Sequence, residues 1–190
     1  MLLLIEEYLS LASSLGYLIY DEGYCTPNIV GVRSRNSRVN HYDDSINLYY
    51  IEEGKWQHKM YAATTYPGLP SLLKPPNPKG TAILKPGQYI DTYAIGKHRG
   101  KYDALVQVAP VTVYRDSNLD DQFTLDPSKK ETGLFGINIH RASFGAKFVG
   151  PDSAGCQVIK YADDFNDFMY HVKLASTHNN NKFTYTLVEV

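Results

Sequence analysis

Apolar positions recur along this chain with two different periods. Over Leu2–Leu15 they fall at Leu4, Tyr8, Leu11 and Leu15 and at Ile5, Leu9 and Ala12. That three-and-four spacing gathers one broad apolar face on an α-helix, and Gly16 supplies a stop. From Tyr17 to Asn40 the pattern turns irregular, broken by a short β-branched run at Asn28–Val32. Arg33, Arg35 and Arg38 follow as a small basic cluster, read as a solvated loop. Ser45–Ile51 and Trp56–Ala62 then flank Glu52-Glu53-Gly54-Lys55, two apolar runs around a glycine turn that predict a β-hairpin.

The proline-rich stretch from Tyr66 to Pro78 reads as an extended loop. Further strands are predicted at Gly80–Leu84, Tyr93–Gly96, Ala104–Val108, Val111–Arg115 and the run ending in His140. Asp116 to Thr132 is polar and loop-like. Phe165, Phe168, Met169 and Val172 lie at helical spacing, with Asp163 or Asp164 as the expected cap, and Lys182–Val190 alternates as a last strand. The pattern predicts a mainly β domain with an N-terminal helix and one late helix. Residues 1–40 form a helix and irregular lead-in packed on a domain that runs from 41 to 190.

Composition narrows the function classes. At 190 residues, 43% hydrophobic and 21% charged, the chain is long enough for one sizeable core and is neither disordered nor fibrous. A net charge of −1 gives no polyanion-binding signature, so nucleic acid is not an expected partner. The apolar N-terminus meets Glu6 and Glu7 at once, so neither a membrane span nor a signal peptide is expected there. Cys25 and Cys156 are too few and too far apart for a cysteine framework. Sixteen tyrosines suit half-buried strands; Tyr49, Tyr50, Tyr89 and Tyr93 either flank a cleft or pack between strands.

Candidate chemistry lies in Gly136-Ile137-Asn138-Ile139-His140-Arg141 and Ser153-Ala154-Gly155-Cys156-Gln157-Val158-Ile159. Nucleophilic attack by cysteine needs a thiolate, an imidazole to take the proton, and backbone N–H groups for the oxyanion. His140 ends an apolar run and Cys156 follows sixteen residues later, beside Gly155 and three residues after Ser153. Glycine lets the backbone bend close to a substrate, and the hydroxyl bonds local backbone and fixes the turn. An activated Cys156 is expected to titrate below the free-thiol value of about 8.5. His98, in Gly96-Lys97-His98-Arg99-Gly100, reads as a surface loop residue. The other histidines lack metal-ligand spacing, and neither metal nor cofactor is expected.

These residues, in this order, resemble the L,D-transpeptidase (YkuD-like) catalytic domain of bacterial cell-wall enzymes. His140 matches the family's upstream histidine, Ser153 its hydroxyl, Gly155 its glycine and Cys156 its nucleophile. Ala154 stands where the family usually has a second histidine, and Gln157-Val158 replaces the usual pair that carries an arginine. The resemblance implies a YkuD-like β-sandwich or barrel with a helix after the catalytic cysteine. It implies attack by Cys156 on a peptidoglycan stem peptide, with His140 as base and an oxyanion held by N–H groups around Gly155-Cys156. Arg141 or Arg115 would stand in for the missing arginine. The histidine would be oriented by a backbone carbonyl, or by Asn138 or Asp152; Asn138 and Tyr89 complete the expected substrate contacts.

Two rivals stand beside this reading. One is an inactive virion or wall-associated module that kept the fold, which the departures at Ala154 and Gln157 motivate. The other is a cysteine amidase or peptidase on a different β-rich scaffold. With no export signal in view, the expected setting is a bacteriophage. There the protein resides in the host cytoplasm or the virion, lysis or virion partners deliver it, and it acts at the cell wall.

Overall fold

The structure, a computed structural model, describes residues 3–22 and 26–190. Leu2 and Cys25 lie outside the described residues. The helical face of the N-terminal segment forms α1 (Ile5–Ser14), and Gly16, in the left-handed region, closes it. Tyr8 of this helix stacks on Tyr49, ring centroids 4.5 Å apart, in a satellite core with Val30, Val32 and Val188.

Eight strands close into a barrel. In spatial order they are β1 (Asn28–Arg33), β11 (Phe183–Glu189), β5 (Gly87–His98), β6 (Tyr102–Gln107), β9 (Ile139–Arg141), β10 (Gln157–Ile159), β3 (Lys55–Thr64) and β2 (Asp44–Glu52). Closure leaves no strand edge open in this sheet. β1 is a full stave, hydrogen-bonded to β2 and β11. The β2–β3 hairpin turns through Glu53 and Gly54, both at positive φ, the geometry that matches strand twist in a two-residue turn. A separate three-stranded sheet holds β7 (Val111–Asp116) between β4 (Thr81–Leu84) and β8 (Lys130–Gly133).

α3 (Ala162–Ser176) follows β10 and buries Phe165, Phe168, Met169 and Val172, the whole face read from the sequence, together with Ala175. This face and the barrel interior share one core with Ile46, Leu48, Leu105, Ile139 and Tyr185. The mainly β architecture therefore stands. No helix among the described residues is long and apolar enough to cross a membrane.

Four local expectations are corrected. The proline-rich stretch contains a short helix, α2 (Leu69–Leu73), because Pro70 sits in its first turn, where no N–H is needed. The tail of the polar 116–132 segment forms β8 against β7. Asp163 and Asp164 lie inside the first turn of α3, and the N-cap is Tyr161 without a side-chain bond. Arg33 is not solvated: it is fully buried, its guanidinium bonding Thr65 Oγ1 and O and Leu84 O at 2.8–2.9 Å and lying 4.2 Å from the Tyr66 ring centroid.

Candidate functional site

The turn Ser153–Cys156 enters β10 from a single 3₁₀ turn at Gly150–Asp152. Ser153 Oγ, fully buried, accepts the Gly155 N–H at 3.2 Å and donates to the Cys156 carbonyl at 2.8 Å. Gly155 has φ +123°, and a Cβ there would lie 2.4 Å from the Ala82 carbonyl oxygen. Only glycine fits. Gln157 hangs the turn from the barrel interior: its Nε2 donates to Gly155 O at 3.2 Å while its Oε1 accepts from Tyr185 Oη at 2.9 Å. Gln157 is thus a core anchor. The Gly155 N–H is engaged by Ser153.

Parallel pairing of β9 with β10 sets Ile139 opposite Gln157 and His140 opposite Val158. Cys156 immediately precedes β10, so His140 sits one pleat along the neighbouring strand from it. Asn138, two residues before His140, points its backbone N–H at Cys156 Sγ, 3.5 Å away. His140 is 3% exposed and its Nδ1 lies 2.8 Å from the Arg141 carbonyl oxygen. A carbonyl only accepts, so Nδ1 carries the proton and Nε2 keeps its lone pair. Nε2 is buried and meets no protein donor among the described residues. The tautomer is that of a general base.

Electrostatics set both groups neutral at rest. Burial, reinforced by His98, pushes the His140 imidazole down to about 4. Burial likewise pushes the Cys156 thiol up, against the smaller pulls of the Asn138 N–H and the Arg99 charge. The expected drop below the free-thiol value is therefore corrected in sign. The Sγ–H donates to Gly136 O at 3.3 Å. No resting thiolate–imidazolium pair forms.

Cys156 opens on a cavity of about 570 Å³ lined with His98, Arg99, Arg115, Asn138 and Ala154 among others. His140 lines an adjoining cavity of about 380 Å³ with Tyr102, Arg141, Ser143 and Asp152. His98 and Arg99 line both. His98 is no surface residue. It closes β5 at 6% exposure, pairs across the hairpin with Tyr102, and stacks on His140 with ring centroids 4.0 Å apart. Arg99, exposed at positive φ in the hairpin turn, forms no salt bridge among the described residues.

The remaining predicted residues divide. Asn138 reaches the site through its backbone and its side chain, whose Nδ2 lies 3.1 Å from His98 Nδ1. Arg141 lays its guanidinium 4.5 Å from the centroid of the Tyr102 ring, in the second cavity. Arg115 lines the first cavity but is paired to Glu131 at 2.7 Å. Asp152 does not orient His140; its carboxylate accepts the backbone N–H and the hydroxyl of Ser143. Tyr89 lines neither cavity. Its hydroxyl bonds Lys85 O and Thr112 O and its ring packs on the core. Gln107, which sequence reasoning passed over, clamps the irregular floor of the cysteine cavity: its Oε1 accepts the Phe135 and Ile137 N–H groups at 3.1 and 3.0 Å.

Among the described residues, no group of three or more His, Cys, Asp or Glu side chains is placed to hold a metal ion. The fold and site define a β-barrel protein with a tethered cysteine turn beside a buried, carbonyl-oriented histidine. No protein-family model, curated protein or solved structure matches the chain.

Proposed function

We propose that this chain is a cysteine-dependent peptidase or acyltransferase of L,D-transpeptidase (YkuD-like) type acting on peptidoglycan stem peptides. The observation that carries the reading is the His140 tautomer: the Arg141 carbonyl holds the Nδ1 proton, and Nε2 keeps an unpartnered lone pair one pleat from Cys156. The resemblance in sequence led to a histidine oriented by a backbone carbonyl, and this geometry agrees with it.

The reaction follows from the residues in place. His140 Nε2 takes the Sγ proton as sulfur bonds the substrate carbonyl carbon, since both groups start neutral. The Cys156 N–H faces the resulting oxyanion. Collapse breaks the C–N bond, and the leaving amine takes the proton from His140. Water or an amine then attacks the thioester, gives a proton to His140, and releases the acid or the new amide as the thiol is restored. Arg99, unpaired and at the rim of both cavities, takes the role of the family's missing arginine and receives a substrate carboxylate.

One observation favours the second reading, an inactive wall-associated or virion module: the resting thiol donates to Gly136 O rather than to an imidazole. A single experiment separates the two. Purified protein and its Cys156→Ala variant are incubated with isolated peptidoglycan, and released fragments are identified by mass spectrometry. Cysteine-dependent loss of a terminal D-residue or cleavage of an L,D bond supports the enzyme. Identical fragment patterns from both proteins, on several wall chemistries, sink it.

A further inference from the structure

The second imidazole at the site has a fixed proton. The Gln107 backbone N–H lies 3.0 Å from the Asn138 side chain, and a backbone N–H only donates. The amide oxygen of Asn138 must therefore face Gln107, which turns its Nδ2 toward His98 Nδ1, 3.1 Å away. An amide nitrogen only donates, so His98 Nδ1 is the acceptor and the proton of the neutral ring sits on Nε2. A second proton on the ring would set N–H against N–H. Nε2 has no protein partner among the described residues and is not sealed from solvent, so its N–H is open to the space around His98, which lines both the Cys156 cavity and the adjoining His140 cavity.

The cysteine turn itself offers few donors. Ser153 Oγ occupies the Gly155 N–H, and Ala154 carries no polar side chain. We propose that His98 donates its Nε2–H to the substrate's acyl oxygen as it becomes the tetrahedral oxyanion, acting with the Cys156 N–H; this rests on the cysteine acyl-transfer reading above. No proton moves in this role. His98 stays neutral throughout, and His140 alone carries the transferred proton. The relay Gln107–Asn138–His98 spans three barrel strands or their ends, so the donor is held by the fold and needs no reorganisation during reaction.

The test compares a probe that develops an oxyanion with one that does not. Wild-type, His98→Ala and His98→Gln proteins are titrated with the stem-peptide aldehyde L-Ala-γ-D-Glu-L-lysinal, to which Cys156 adds reversibly at the carbonyl carbon. The same proteins are alkylated with iodoacetamide, which engages the thiol but forms no oxyanion. His98→Ala is expected to weaken aldehyde binding about 10²-fold while alkylation stays within about twofold, and His98→Gln, which keeps an amide donor, to recover most of the loss. In ¹⁵N-histidine spectra of the wild type, His98 is expected to show a protonated Nε2 and a bare Nδ1 at neutral pH.

Equal aldehyde binding by wild type and His98→Ala overturns the proposal and leaves the acyl-transfer reading intact. Parallel loss of aldehyde binding and alkylation in His98→Ala overturns it in favour of a purely structural histidine, as does a spectrum with the proton on Nδ1. A wild type that forms no aldehyde adduct overturns the acyl-transfer reading and the role of His98 with it.

Discussion

The imidazoles of His98 and His140 lie nearly face to face, centroids 4.0 Å apart and planes inclined by 24°. Two charged rings cannot share that stack in a dry site. His140, lowered from 6.5 to about 4 by burial and by its neighbour, binds its proton more readily in the unfolded chain than in the folded one. Between those two values the unfolded state holds more protons, so stability rises with pH through the window and falls as pH drops from 6.5 toward 4. The loss from this group is about 3 kcal/mol. Urea unfolding at pH 7 and pH 4.5 should show it, and His140→Gln should flatten the slope. An unchanged slope in that variant would assign the loss to other histidines.

Cys156 faces the opposite shift. Burial raises its thiol, so the thiolate fraction at neutral pH is smaller than for a free cysteine. Iodoacetamide alkylation should accelerate with pH through and beyond the ordinary thiol range, with no plateau near neutrality. A plateau below pH 7 would reveal a preformed thiolate–imidazolium pair and overturn the neutral resting state.

Gly155 is the tightest point of the turn. A methyl group there would sit 2.4 Å from the Ala82 carbonyl oxygen and 2.9 Å from Ile137 Cδ1, at a φ that side chains avoid. Gly155→Ala should cost about 2–3 kcal/mol in denaturant unfolding and slow Cys156 alkylation or speed it by displacing Sγ. Stability and thiol reactivity both equal to wild type would show that the turn relaxes freely.

Local patterns carried the strands, the β2–β3 hairpin and the α3 face, because each is written in neighbouring residues. The pair Cys156 and His140 was legible for the same reason: one crossover separates them and their strands are adjacent. His98 was not. Its burial depends on where the β5–β6 hairpin folds relative to β9, a relationship that no local period encodes, and its charged neighbours Lys97 and Arg99 made it look solvated. Arg33 misled similarly: beside Arg35 and Arg38 it reads as surface charge, yet strand alternation turns it inward. Gln107 left no signal, since one polar residue at a strand end is commonplace until its amide is seen clamping residues 135–137.

The inward turn of Arg33 has a measurable consequence. Its guanidinium supplies the hydrogen bonds that two buried carbonyls, Thr65 O and Leu84 O, would otherwise lack, and Thr65 in turn donates to the Asp44 carboxylate at 2.8 Å. Methionine would fill the space and leave both acceptors bare. Arg33→Met should lower unfolding free energy by about 3 kcal/mol, and Arg33→Lys, which has no fork to span the acceptors, should recover only part of it. A Met variant as stable as wild type would show that the barrel repacks without the network.

Arg99 offers the sharpest test of substrate recognition. Arg115 is held by Glu131 and Arg141 by the Tyr102 ring, whereas Arg99 borders both cavities without an ion pair among the described residues. A guanidinium left unpaired beside a nucleophile suits a substrate that brings its own carboxylate. Arg99→Ala should raise KM about 5- to 10-fold for stem peptides with a free terminal carboxylate and leave kcat nearly unchanged. Stem peptides amidated at that terminus should be handled alike by both proteins. A fall in kcat with either substrate would instead place Arg99 in the chemistry of Cys156, whose thiol its charge already favours in the ionised form.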